Sequence, residues 1–386
     1  MKFVVSLLFF VSLQAQAAWD LNDVSYLLPL PTVVGGDALL GLEAPGKGGP
    51  LLEPILLGRV PILAIDMDRE ETYQALRVIA VRIDPCFPLP TPQSCQKQIR
   101  LVWQPLQEGR RRQTHAVDAA LHSFYVLSDS EFANLLTDLE AWKTKYPVQT
   151  NFIPLQVHPA WAQQGDRSPA LRDFQEIIKK YAGRANLTRV TAMVLRGAAD
   201  MWAFAGFELR DGQLELFGVP RLKGRLAQSF VNVAVPSDHF AGGGMSPPPK
   251  GSDTFDNIVA ESVRLGAGSE ELIRQEVKAA YRIENPKNFS PENMDCVSCH
   301  VAQPAIQWVL RKRPELQVDQ LWSSEIYKNA KYNLTNRSPE VWNTQMIRGL
   351  GYFGKNMAIS QRVINESAEV ADSINLLFNR QRKIIP

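Results

Sequence analysis

AGGGMSPPPKGSD, residues 241–253, is where the sequence changes character. Ahead of it, runs rich in Val, Ile, Phe and Trp dominate: RVPILAID (59–66), ALRVIAVRI (75–83), QIRLVWQPL (98–106), RVTAMVLRG (189–197), MWAFAGFEL (201–209), QLELFGV (213–219) and SFVNVAV (229–235). Several are almost unbroken apolar stretches, as expected of strands covered on both faces. Arg210-Asp211-Gly212-Gln213 between two of them signals a hairpin. Helical patterns interleave at about 115–126, 129–145 and 168–182, with Ser128 and Ser130 as candidate caps for the second. Residues 18–60, Pro- and Gly-rich, read as largely irregular coil. Behind the glycine and proline stretch the strand signal stops, so it reads as a linker or long loop.

On the far side, Ser269-Glu270-Glu271-Leu272 opens a helix with Leu272, Ile273, Val277, Ala280 and Tyr281 on one face. Ser338-Pro339-Glu340 has the form of another helix start. A final helix, with Val363, Ile364, Ala371, Ile374, Leu377 and Phe378 at helical spacing, runs to about Arg380. The expectation is an α+β domain over 18–245, followed by an all-α domain over 246–386.

Met1-Lys2, the apolar run Phe3–Leu13 and Ala15-Gln16-Ala17 form a signal-peptide pattern over residues 1–17, with a mature chain expected from Ala18 and export to the periplasm. The run is too short for a membrane helix, which takes about 20 apolar residues, and no later stretch supplies one. With 386 residues, the chain exceeds what one core usually serves. A formal charge of +2 gives no case for nucleic acid or a membrane surface. The run Arg110-Arg111-Arg112 reads as a solvated loop.

The chemistry sits in DCVSCH, residues 295–300. On a helix, Cys296 and Cys299 lie one turn apart and reach the two vinyl groups on one edge of a haem, while His300 follows to ligate the iron. C-x-x-C-H is the attachment pattern of haem c, and export suits it, because thioether attachment in bacteria takes place outside the cytoplasm. A thioredoxin-like site needs a strand before the motif, but NPKNFSPENM is turn-rich. A zinc site needs two further local ligands. A plain disulfide leaves His300 idle.

The segment resembles the attachment site of c-type cytochromes, and residues 296–378 loosely resemble a class I cytochrome c: the motif, a Met-bearing loop GKNM (354–357) and a closing amphipathic helix. The likeness covers under a quarter of the chain. It departs from the family in lacking Gly-Pro after the histidine, with Pro304 a partial substitute, and in having Ala after Met357. It implies one covalently attached haem c, an all-α cytochrome c-like haem domain, and His300 with Met357 as iron ligands. Met346 is the second choice for the distal ligand, His239 or another histidine of the first domain the third, and an empty position the fourth. A single motif gives no support to a two-haem peroxidase.

Cys86 and Cys95 flank a short Pro-rich loop and read as a disulfide in an oxidising compartment. His115, Asp118 and His122 at i, i+3 and i+7 share a face if 115–126 is a helix, where a metal is a minor reading beside a core face. Trp308, Trp322 and Trp342 either wall a haem pocket or fill a core. The leading function is one-electron transfer to a redox protein partner, with no enzymatic activity. A peroxidase-like haem enzyme and a haem-containing sensor or binding protein, each with an open iron position, are the alternatives.

Overall fold

A computed structural model describes residues 19–34, 37–60, 68–88, 95–109, 112–196, 200–233 and 237–384. The expected leader, residues 1–17, lies outside them, as do most of the run at 59–66, part of that at 229–235 and Arg110-Arg111. The chain opens with α1 (Leu21–Val24), β1 (Ser25–Leu27), a small hairpin β2 (Pro45–Gly46) and β3 (Gly49–Pro50), and α2 (Arg69–Ala75). Then come β4 (Leu76–Pro88), β5 (Cys95–Glu108), β6 (Thr114–Ala116), β7 (Ala119–Leu127), α3 (Asp129–Lys145), α4 (Pro159–Ala162) and α5 (Pro169–Tyr181). Four strands follow, β8 (Leu187–Arg196), β9 (Met201–Arg210), β10 (Gln213–Leu216) and β11 (Ala227–Val231). The last part holds β12 (Gly244–Ser246), α6 (Asp256–Ala260), α7 (Glu270–Glu284), α8 (Cys296–Lys312), α9 (Val318–Leu321), the hairpin β13 (Leu350–Phe353) and β14 (Asn356–Ile359), and α10 (Gln361–Ile384).

Ten of these strands form one antiparallel sheet in the order β1-β4-β5-β7-β8-β9-β11-β12, with β6 on β5 and β10 on β9. Because side chains alternate across a strand, the sheet has two different apolar faces. Leu101, Trp103, Leu121, Tyr125, Val190 and Phe207 point one way, into a core with Leu135 and Leu139 of α3 and Phe174 and Ile178 of α5. Ala120, Met193, Trp202, Phe204 and Phe230 belong to a second core with Val277 of α7 and Val301 and Val309 of α8. Fully burying each large apolar side chain is worth roughly 1.5–3 kcal/mol. The architecture is therefore helix on both faces of a large antiparallel sheet.

This overturns the expected all-α, cytochrome c-like domain. The C-terminal residues do not enclose a core of their own. β12 adds to the sheet by pairing Ser246 with Ser229 and Gly244 with Val231, the β13–β14 hairpin brings two more strands, and Ile364, Ala368, Ala371 and Ile374 of α10 sit in the first core. The stretch read as a linker is thus partly a strand, and Gly244 is needed there. Its φ is +63°, and a Cβ would lie 2.8 Å from the Ala260 Cα.

Three further expectations change. Residues 115–126 are strands, not a helix. β7 is buried on both faces for much of its length, so its apolar run shows no clean period of 2. Ser338 caps no helix: its Oγ accepts from the Ile359 amide at 2.8 Å and donates to the Ile359 carbonyl at 3.2 Å, tying the chain to β14. The segment read as coil contributes Trp19, Leu21, Val24, Tyr26 and Leu28 to the first core. The hairpin at Arg210–Gln213 forms with Asp211 and Gly212 at φ +47° and +76°, and the helices expected from Ser128, Ser168 and Ser269 are α3, α5 and α7. Cys86 and Cys95 are joined, Cα to Cα 4.8 Å, where β4 turns into β5.

The first and last described elements clasp each other. The Trp19 amide donates to Asn375 Oδ1 and Asn375 Nδ2 donates to the Trp19 carbonyl, both at 2.9 Å, and the Trp19 and Phe378 rings stack 5.8 Å apart. Among the described residues no helix is long and apolar enough to cross a membrane.

Candidate functional site

Between the sheet and the start of α8 lies a cleft of about 1410 Å³, including the part at its mouth open to solvent. Cys296, Cys299 and His300 all line it. They occupy the first turns of α8, and that end of the helix is fastened from the sheet. Asp295 is the N-cap, with its Oδ2 accepting from the Ser298 amide at 3.0 Å and from Gln228 Nε2 of β11 at 3.0 Å. Gln228 Oε1 in turn accepts from the Val297 amide at 2.9 Å, and Arg221 Nη1 reaches Asp295 Oδ1 at 3.2 Å. Two of the amides that a helix start leaves without partners are thereby satisfied.

His300 Nδ1 lies 2.7 Å from the carbonyl oxygen of Ile347. A carbonyl only accepts, so Nδ1 carries the proton and Nε2 carries the lone pair of the neutral ring. Burial holds the imidazole below the usual histidine range, partly offset by the Ile347 bond, and so keeps it neutral. This is how metal-ligating histidines are oriented. The loop presenting Ile347 is itself pinned. Thr344 Oγ1 donates to the Ser237 carbonyl at 2.9 Å, and Gln104 of β5 bonds both the amide and the carbonyl of Tyr352, at 2.8 and 3.0 Å. Gly351 permits that approach, since a Cβ there would sit 2.5 Å from Gln104 Oε1.

Burial pushes both thiols up to about 12, helped at Cys296 by the neighbouring Asp295 carboxylate. Thiols of that kind are poor nucleophiles, the opposite of a thiol–disulfide exchange site. They are not joined to each other.

The floor of the cleft is the sheet, and its register sorts the floor into three rows. One reads Arg82, Arg100, Phe124, Arg189, each a Cα partner of the next. The next reads Val102, His122, Thr191, Gly206, and the third Ala120, Met193, Phe204. The Phe204 ring stands 5.3 Å from that of His300. So the floor under the histidine is apolar and becomes basic two rows away. At the basic end Arg82 pairs with Asp84 at 2.9 Å and Glu366 at 2.7 Å, and Arg362 with Glu366 at 2.6 Å. Burial alone would raise Glu366, but Arg362, Arg82 and Arg100 outweigh it and bring the carboxyl down to about 2.

Met357 is not brought to His300. The expected loop tip is a tight hairpin with Gly354 at φ +59° in its turn, which places Met357 on β14 opposite Tyr352. There it packs half-buried against the first core and is not among the residues lining the cleft. Met346 is buried, outside the lining as well. His239 pairs with Asp238 at 2.7 Å. None of the three tryptophans walls the cleft: Trp308 and Trp322 pack in or against the second core, and Trp342 is exposed under Arg311. His115 and His122 do not share a helix face, and among the described residues no group of three His, Cys, Asp or Glu gathers to hold a bare ion.

The sequence offers His122 only as a minor metal candidate on an expected helix face, and nothing in it points to Met193 or the arginine row. Had AALHSFYVL been taken as a strand, Ala120, His122 and Phe124 would have fallen on one face. No family model matches the chain, and no curated protein or solved structure matches it.

Proposed function

We propose that this is a periplasmic c-type haem protein that passes single electrons to and from a redox protein partner, with the haem held in the cleft between the sheet and α8. Cys296 and Cys299 hold it through thioether bonds, and His300 Nε2 is the protein's ligand to its iron. When bound, the haem supplies a one-electron redox centre. The chain's own work is to place and shield it. Asp295 and Gln228 fix the turn that carries both sulfurs, and the Ile347 carbonyl fixes the tautomer and the plane of His300. Ala120, Met193 and Phe204 keep water from the histidine side of the cleft.

The observation that carries this reading is the union of three things in one cleft: two cysteines on a single helical turn, the histidine that follows them, and a backbone acceptor on its Nδ1. A disulfide-exchange protein has no use for the last, and half-buried thiols pushed up to about 12 oppose that activity.

The test is to express the full chain in a host with a working cytochrome c maturation system, then stain for haem after acid–acetone extraction and denaturing electrophoresis. One haem per chain is expected to survive in the wild type, and Cys296→Ala with Cys299→Ala together to abolish it. Wild-type protein that emerges free of haem overturns the reading.

A further inference from the structure

His122 is not used by the function proposed above. It stands on β7, in the middle row of the cleft floor, between Val102 on one neighbouring strand and Thr191 on the other. Its side chain lines the same cleft as His300, but from the opposite side, from the sheet rather than from α8. Among the described residues neither of its ring nitrogens has a hydrogen-bond partner, although the ring is half-buried. The ring therefore presents nitrogens uncommitted to the rest of the chain to the cleft that His300 enters from α8.

We propose that His122 is the second axial ligand of the haem iron, so that the metal is held between an imidazole from the helix and an imidazole from the sheet. This rests on the haem reading of the same cleft. Two other kinds of sulfur donor, thiol and thioether, reach the lining. The cysteines are consumed by attachment. Met294 directly precedes the attachment segment and approaches from the His300 side. Met193 is packed between its strand neighbours Ala120 and Phe204 and is 4% exposed, a burial that apolar packing accounts for. His122 alone comes from the floor with an unsatisfied lone pair.

The reading is tested on matured full-length protein, with covalent haem verified first by staining. The wild type is expected to be low-spin in both oxidation states and to lack the weak near-infrared sulfur-to-iron band. His122→Ala is expected to keep its covalent haem, turn high-spin and return to low spin on addition of imidazole. His122→Met, which retains a donor, is expected to stay low-spin, gain the sulfur band and raise the midpoint potential, as Met/His ligation does relative to two histidines. A low-spin spectrum unchanged in His122→Ala overturns the assignment while the covalent haem stands. So does a wild type that is already high-spin, or one that carries the sulfur band and loses it in Met193→Ala. Absence of covalent haem from the wild type brings down both the haem reading and this ligand.

Discussion

Glu366 shows how much of the cleft wall rests on single side chains. Its carboxylate serves Arg82 and Arg362, both almost fully buried. Its pKa is depressed in the folded chain, so the stabilisation it gives is present above the ordinary carboxyl value and is lost as the pH falls. With a folded value of about 2, the loss runs between roughly pH 4.5 and 2 and amounts to about 3 kcal/mol. Glu366→Gln leaves Arg362 with only the carbonyls of Ile283 and Phe289 and Arg82 with only Asp84, and should cost about 3 kcal/mol at pH 7. Urea titrations from pH 7 to 2.5 check both statements: the variant should lose most of the wild type's dependence on acid, and equal slopes would show that the ion pairs contribute nothing. At this scale the sequence was informative only where chemistry is spelled by side chains. Cys296, Cys299 and His300 stand out because two cysteines and a histidine recur at a fixed spacing, and the fold sets all three on one cleft. The acceptor for His300 does not, because it is the carbonyl of Ile347, and every residue has a carbonyl.

Among the elements, helices were easier to read than strands. α3, α5, α7 and α10 are amphipathic and announce themselves through spacing and caps, whereas β7 is covered on both faces and was taken for a helix. The hairpin at 350–359 was missed because Ser338-Pro339-Glu340 imitates a helix start, while the hydroxyl is spent on Ile359. α8 is the element on which the site depends, and its anchor is testable. Asp295→Ala removes the cap and leaves Arg221, whose side chain is 10% exposed, without its carboxylate. A loss of about 3 kcal/mol is expected. Asp295→Asn, which can still accept from Ser298 but no longer neutralises Arg221, should lose about 2 kcal/mol, the cap accounting for the remaining ~1 kcal/mol. Thermal or urea unfolding of the two variants separates cap from charge, and equal losses would assign the whole effect to the ion pair.

At the scale of the whole molecule, the boundary legible at 241–253 is a change in composition and not a place where the fold can be cut. A fragment of residues 246–386 lacks β11 and all but the last residue of β12, and lacks the sheet against which α8 and α10 are buried. It is expected to be unfolded by circular dichroism and by amide proton dispersion, even though it contains the entire attachment motif. A cooperatively folded fragment would restore the two-domain picture. The Trp19–Asn375 clasp carries a consequence in time. A chain delivered from its N-terminus cannot finish its fold until the last helix arrives, because the backbone of Trp19 is held by Asn375. At 5–20 residues per second, the interval between the appearance of residue 300 and that of residue 375 is on the order of ten seconds. Throughout it, Cys296 and Cys299 belong to a chain whose last helix is incomplete, and the cleft that half-covers them is not yet closed by the clasp.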